Sequence, residues 1–513
     1  MNRATREIEL KLSFLPEHYL RLQHHPLLKT LGCAPTVKQK LLSRYYDTPE
    51  LGLWRKGLTL RLRKSGSKWI QTVKGNGVVA GGLHERNEWE FPVTRPEIDW
   101  ARLREQGLDE FCRFQKLRQK LKPVFTTEFS RILHRLELTG GGKLEFCLDR
   151  GKIIAGKAVQ ELTEVELELK SGSAASLYEF AVELQKTVPL RLQNASKAER
   201  GYFLYTQNPA PVVRAVALDV SPDISVNEAF KRTMWNCLRH LQGNESGMLL
   251  GSDPEYLHQM RVALRRLRST MGVFKKAFAE NALAPIEKEL KKLRSVLGPA
   301  RDWDVFVTEF FPSLEQALPE SRQWTHIRRA AALRRAARNR AARSAVASEH
   351  YSRFMLTLCA WLSAERWHER PDPAGARQLV QPLSVFAPVV FDQYHRKLKK
   401  RGRNLEKLSS AERHALRIAV KKQRYACEFF SGLYPRKRTK RYLRALSALQ
   451  QCLGVLNDLR IQERLLGEMV EKRDALREPV NLALGWIVAT RAQQLAQLQK
   501  NWASFKQQQT FWK

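Results

Sequence analysis

In the opening segment Glu7-Ile8-Glu9-Leu10-Lys11, charged and apolar side chains alternate one for one. Successive side chains of a β-strand point to opposite faces, so Glu7, Glu9 and Lys11 share one face and Ile8 and Leu10 the other. The pattern returns as Glu164-Val165-Glu166-Leu167-Glu168-Leu169-Lys170. Between the two runs, Arg61 and Arg63 stand two apart, as do Arg86, Glu88 and Glu90. A sheet with both charge signs on one face of strand after strand cannot use that face as a sandwich core, but a barrel with a polar lumen can. The alternation assigns to that lumen Glu7, Glu9, Lys11, Arg61, Arg63, Thr72, Lys74, Arg86, Glu88, Glu90, Arg131, Glu145, Asp149, Glu164, Glu166 and Glu168. The competing reading is the wet face of an open antiparallel sheet. Recurrence of mixed charge on several strands weighs against it.

Turn signals punctuate residues 1–205: KGNG at 74–77, VAGG at 79–82, TGGG at 139–142 and DRG at 149–151. Helical patterns intervene at 17–30, 99–118 and 174–188. Two prolines in TQNPAPVV (206–213) mark a linker, taken as 206–218, and Leu/Ala/Arg helices fill 219–508. The expected class is therefore α+β, a β domain followed by an all-α domain.

The helical half contains an internal repeat. His258, Arg261, Arg265, Arg266 and Arg268 recur as His414, Arg417, Lys421, Lys422 and Arg424, an offset of 156. Leu297-Gly298-x-x-Arg301-Asp302 recurs as Leu453-Gly454-x-x-Asn457-Asp458 at the same offset. Two motifs in one register indicate a duplication, two similar helical bundles related by a pseudo-twofold. At about 100° per residue, His258, Arg261, Arg265 and Arg268 fall within an arc of roughly 80°, with Arg266 at its flank. So much like charge on one helix face costs stability unless solvent or an anion meets it. The duplicate presents His414, Arg417, Lys421 and Arg424 in the same way, so two facing copies would form a basic groove. Asp302 and Asp458 read as partners of arginines or as helix caps. The Ala/Arg helix at 327–348 reads as an extension of the basic surface.

The net charge of +37, about +11 of it in residues 1–210, attracts polyanions: phosphate chains, nucleic acid or anionic surfaces. Seven cysteines form no CxxC pair and no metal spacing, as expected of buried, reduced thiols. The first residues are charged and no apolar run approaches roughly 20 residues. The expectation is a cytoplasmic protein with no membrane span.

Dense carboxylates suit hard cations such as Mg²⁺ or Mn²⁺, and Arg and Lys suit phosphate oxygens. A lumen holding both sets can bind a metal-bridged oligophosphate and cleave it. The segments SRYYDTPELGLWRKGLTLRLRK (43–64), RNEWE (86–90), LDRG (148–151), EVELELK (164–170) and SKAERGY (196–202), with the opening ExExK, resemble the CYTH domain of triphosphate tunnel metalloenzymes. The resemblance covers residues 1–205 and implies an eight-stranded antiparallel tunnel cleaving triphosphates with Mg²⁺ or Mn²⁺. It implies a metal-binding role for Glu7 and Glu9 and for Asp149, Glu164 and Glu166, with Glu168 as the alternative to Glu164. It makes Lys11 a phosphate-contacting catalytic lysine and Arg61, Arg63, Lys74, Arg131 and Lys197 phosphate contacts. Glu88 and Glu90 become acidic lumen positions with a catalytic role, and Arg86 a further phosphate contact. LHQMRVALRRLRSTMGVF, LRSVLGPARDWDV, HALRIAVKKQRYACEFF and LQQCLGVLND resemble the CHAD domain, which implies polyphosphate binding along both basic stripes.

The leading expectation is an inorganic triphosphatase that converts tripolyphosphate to pyrophosphate and phosphate, with a helical domain that binds inorganic polyphosphate. The alternatives are an enzyme acting on an organic triphosphate (thiamine triphosphate or ATP) and a non-enzymatic polyphosphate- or nucleic-acid-binding protein.

Overall fold

A computed structural model of the chain describes residues 5–106, 108, 119–208, 210–319, 324–369, 373–470 and 476–513. Cys112 and the 109–118 part of the helix expected at 99–118 lie outside them. Two compact units emerge, Met1–Pro211 with Ala347–Glu365, and Val212–Val346 with Arg366–Lys513.

Among the described residues of the first unit, eight antiparallel strands close into a barrel. They are β1 (Thr5–Ser13), β2 (Val37–Asp47), β3 (Thr59–Ser65), β4 (Lys68–Ala80), β5 (Leu83–Val93), β6 (Lys122–Glu137), β7 (Lys143–Ala155) and β8 (Ala158–Ser171). The order β5-β4-β3-β2-β6-β7-β8-β1 is closed by β1 pairing β5, and a short β9 (Arg191–Leu192) adds to β1. At the β4–β5 turn Gly82 has a φ of +75°, and a Cβ there would lie 3.0 Å from the Lys11 carbonyl oxygen.

The barrel is inverted relative to an ordinary core. Its lumen is charged, and the apolar residues between, Leu10, Leu12, Leu60, Leu62, Leu148, Val165 and Leu167, are buried on the outer wall. Helices α1 (Tyr19–Gln23), α2 (Pro26–Thr30), α3 (Trp100–Glu105), α4 (Ala174–Gln185) and α5 (Lys197–Thr206) supply cover. Hydrophobic stabilisation thus comes from the outer shell, which leaves the interior free for polar chemistry.

In the second unit the main helices are α6 (Val226–Gln242), α7 (Pro254–Phe274), α8 (Ala284–Val305), α9 (Trp324–Ala347), α11 (Leu383–Arg401), α12 (Ser410–Phe430), α13 (Arg436–Val470) and α14 (Arg477–Lys506), while α10 (Glu349–Ser363) lies between α9 and α11 in sequence. The repeat is structural: α7 and α12 begin and end 156 residues apart, and their N-caps Asp253 and Ser409 keep that offset. In space α10 belongs with the first unit. It packs on α4 and β9, burying Tyr351, Met355, Leu356 and Leu358. No helix among the described residues is long and apolar enough to cross a membrane.

Candidate functional site

Strand register decides which charges meet. Pairing of β1 with β5 sets Glu7 opposite Arg86, and pairing of β1 with β8 sets Glu9 opposite Glu168, Lys11 opposite Glu166 and Ser13 opposite Glu164. On the far wall Arg61 faces Thr72 and Tyr45, Lys74 faces Glu88, and Arg131 faces Asp149. Glu7, Glu9, Lys11, Arg61, Arg63, Thr72, Lys74, Arg86, Arg131, Glu166, Glu168 and Lys197 all line one cavity.

Lys197 comes from a helix rather than a strand. Ser196 caps α5, its hydroxyl accepting from the Glu199 N–H at 3.2 Å while the Glu199 carboxylate accepts from the Ser196 N–H at 2.8 Å. Gly201 lets α5 approach the barrel, because a Cβ there would stand 2.1 Å from the Phe125 ring. The first residue of the helix is thereby delivered into the lumen.

The opposing charges interleave. The Lys11 ammonium lies 2.7 Å from Glu9, also contacts Glu166, and is 4.0 Å from Glu164. The Lys197 ammonium sits among Asp149, Glu164 and Glu166 at 2.8, 2.7 and 2.7 Å. Arg131 donates a fork to Asp149 at 2.8 and 2.7 Å and also contacts Glu166. Lys74 bridges Glu7 at 2.5 Å and Glu88 at 3.2 Å, and Arg86 meets Glu199 at 3.1 Å. Toward the rim, Arg61 reaches Glu88 and Glu90 at 3.5 and 3.7 Å, and Lys170 pairs Glu145 and Glu168 at 3.2 and 2.5 Å. Among the described residues, no three His, Cys, Asp or Glu side chains gather closely enough to hold a metal ion. Ammonium and guanidinium groups stand between the carboxylates instead.

Several groups depart from this balance, among them Glu164, whose carboxyl burial raises although Lys197 pulls it down. Burial pushes the Glu7 carboxyl up to about 7 although Lys74 pulls it down, with Glu9 and Glu88 adding to the push. Burial, followed by Arg61 and Arg131, depresses the Arg63 guanidinium to about 10. Arg63 Nε donates to the Ser43 hydroxyl at 3.1 Å, and among the described residues no carboxylate lies within ion-pair distance of it. Elsewhere cations win: burial alone would raise Glu9, but Lys11 holds it at about 2. Burial would raise Glu166 too, yet Lys11, Lys197 and Arg131 keep it well below the usual range.

In the second unit α7 packs on α12. Burial, then Arg417 and Arg265, lowers Lys421 to about 6, so the two basic faces act on each other across the helix pair. The Nε atoms of Arg265, Arg417 and Arg424 are buried without hydrogen-bond partners. Burial and Arg301 lower His258 to about 4. His414 Nδ1 lies 3.1 Å from Asn457 Oδ1, Asp302 receives Arg261 at 3.3 Å, and Asp458 receives Asn457 at 3.2 Å. Arg268 and Lys422 are exposed. Arg266 is turned inward, donating to Asn236 at 2.8 Å beneath the Phe429 ring, so it braces the bundle.

Residues 5–202 match the CYTH domain and residues 232–467 the CHAD domain. A CHAD domain structure from the plant Ricinus communis is 34% identical, covers 57% of this chain and 96% of its own, and aligns with a TM-score of 0.50. The chain is a CYTH–CHAD protein. An inorganic triphosphatase of Haemophilus influenzae is 35% identical over 204 residues, which span 40% of this chain and 56% of that relative. An uncharacterized protein of Mycobacterium tuberculosis is 25% identical over 409 residues, 72% of this chain and 69% of its own.

Several residues of the CYTH lumen escaped the sequence reading. Tyr45 and Ser43 reach it from β2, Cys147 from β7, and His84 stands opposite Glu9 on β5. Their signal was present: Cys147 lies midway between Glu145 and Asp149 in the same alternation, and His84 two before Arg86. Glu199 was signalled only by the S-x-x-E capping box, which says nothing of Arg200.

Proposed function

We propose that the CYTH domain hydrolyses inorganic triphosphate with a divalent cation, and that the CHAD domain binds inorganic polyphosphate. The carrying observation is Arg63, a guanidinium in the lumen with no carboxylate at ion-pair distance among the described residues, flanked by Arg61 and Arg131. Such a group favours an incoming anion, and guanidinium forks match phosphate oxygens. Arg61, Arg63, Lys74, Arg86, Arg131, Lys11 and Lys197 line the same cavity, enough cations for a multiply charged chain.

The donor types suit Mg²⁺ or Mn²⁺ at one wall, where the carboxylates are paired with ammonium and guanidinium groups that a metal would have to displace. Glu7 and Glu9 on β1, with Glu168 and Glu166 on β8, offer carboxylate oxygens that hard cations accept. The register favours Glu168 over Glu164, because it sets Glu168 directly opposite Glu9 and Glu164 opposite Ser13. Asp149 likewise serves Arg131 and Lys197, so Asp149 and Glu164 hold the phosphate-binding cations in place. When bound, the cation would neutralise phosphate oxygens and favour attack by water.

The chain's own groups supply the rest. Arg61, Arg63 and Arg131 bind and orient the phosphates, and Lys11 stabilises charge developing on the leaving phosphate. The closed wall limits water to the reacting end. Glu88 and Glu90 set the reach of Arg61 and Lys74. A soluble assay of phosphate release from tripolyphosphate, with Mg²⁺ or Mn²⁺ and with chelator, tests the reading. Release that depends on metal and is lost in Glu9→Ala supports it; no release with any divalent cation refutes it. Thiamine triphosphate and ATP in the same assay separate the organic-triphosphate alternative.

A further inference from the structure

The two CHAD repeats share the bounds of α7 and α12 but differ in one pocket. In the second repeat a cavity of about 210 Å³ is lined by Arg413, His414, Arg417, Arg460, Glu463 and Arg491. Shifted back by 156, Arg460 falls on Asp304, Arg413 on Leu257, Glu463 on Val307 and Arg491 on Arg335. The corresponding pocket of the first repeat is lined by Leu257, Asp304 and Arg335 together with Asn339 and Arg343.

These substitutions reverse the chemistry. In the first repeat Asp304 is fully buried and accepts from Arg335 Nε at 2.7 Å and Asn339 Nδ2 at 2.9 Å. A built-in carboxylate thus occupies the place of an anion. In the second repeat that carboxylate is replaced by the Arg460 guanidinium, and Leu257 by Arg413. Four guanidiniums now line the cavity against one carboxylate, Glu463, which meets Arg491 at 2.6 Å. Arg417 Nε is buried with no partner. The Asn457 amide donates to Asp458 Oδ1 at 3.2 Å, so its oxygen accepts from His414 Nδ1–H at 3.1 Å and leaves Nε2 as that ring's remaining polar atom.

We infer that the second-repeat pocket is a site for a single phosphoryl dianion, either free orthophosphate or the terminal group of a phosphate chain, which the first repeat has closed with Asp304. The choice of phosphoryl over other oxyanions rests on the reading of the CHAD domain as a phosphate-chain binder; the site itself rests on the charge reversal between the repeats. An internal phosphate of a chain carries about one negative charge, whereas a terminal one carries about 1.5 to 2 at neutral pH. A surplus of guanidiniums in one open pocket, with Arg460 at its exposed side, therefore favours ends and free phosphate over the middle of a chain. The stripes of α7 and α12 would follow the chain, and this pocket would hold its end.

The test uses the full-length protein, titrated calorimetrically with orthophosphate. Arg460→Asp recreates the first-repeat arrangement and Arg413→Leu recreates its apolar lining. Each should abolish one orthophosphate site or weaken it at least about tenfold. The tunnel is common to all proteins compared, so its own phosphate binding cancels. If the ligand is a chain end, both variants should also lose affinity for free-ended polyphosphate but not for polyphosphate whose ends are blocked as esters. If it is free phosphate, both chain types should bind as in the wild type while orthophosphate binding falls. Wild-type orthophosphate binding in both variants would overturn the inference. The variant Arg268→Ala, at the exposed edge of the stripe, tests the stripe separately, since it should weaken long chains while leaving the orthophosphate site intact.

Discussion

Replacing Arg63 with methionine should make the protein more stable and a worse binder of triphosphate. The guanidinium is depressed from an ordinary value of 12.5 to about 10, first by burial and then by Arg61 and Arg131. For a base with a lowered folded-state pKa, the unfolded chain holds the proton more tightly. Charge on Arg63 therefore costs folding free energy at every pH below about 10, and that cost is relieved as pH rises from about 10 toward 12.5. At 1.36 kcal/mol per pH unit the cost reaches a few kcal/mol, and with partial solvation about 1–3 kcal/mol is a fair range. A methionine of similar length keeps the packing and removes the charge, so Tm at pH 7 should rise by roughly 2–12 °C for a unit of this size. Function should move the opposite way. Loss of a charge-assisted bond worth about 1.5–3 kcal/mol predicts tripolyphosphate KM or Kd higher by roughly 10- to 150-fold. Differential scanning calorimetry and steady-state kinetics on the same preparations measure both. A lower Tm with unchanged affinity would show that Arg63 is a structural ion-pair partner, and the phosphate-binding argument would fail with it.

Other predictions follow from separate parts of the fold. A fragment ending at residue 211 lacks α10 and exposes the α4 face that α10 covers, around Tyr178. At about 1.5–3 kcal/mol per buried large side chain it should lose roughly 5 kcal/mol or more in urea unfolding, and fusing residues 347–365 to its end should recover most of that. Lys421 sits at about 6 because of burial, Arg417 and Arg265, so an anion there raises its proton affinity. Polyphosphate binding should therefore take up a proton near pH 7 and tighten from pH 8 to pH 6; affinities that do not change across this range would remove Lys421 from the binding face. Changing Arg261, Arg265, Arg417 and Lys421 to Ala together should weaken polyphosphate binding by more than about tenfold while tripolyphosphate turnover holds. Equal loss of both would mean that the two activities share these residues.

The sequence alone determined the faces. Alternation at Glu7/Glu9/Lys11 and Glu164/Glu166/Glu168 told which side chains go together, because a strand's period of two leaves no choice. The offset of 156 likewise fixed the duplication, down to the bounds of α7 and α12. Tertiary structure decided which faces meet and how closely. Periodicity cannot say that Glu9 stands opposite Glu168, since register is set by closure of the whole barrel. Nor can it turn Arg266 inward while Arg265 stays on the basic face, because neighbouring positions on a helix differ by about 100° and the partner helices choose between them. Delivery of Lys197 into the lumen depended on a cap and on the close seat of Gly201 against Phe125. Attachment of α10 to the first unit left no mark in the local pattern, for an amphipathic helix records that it needs an apolar partner but not which one.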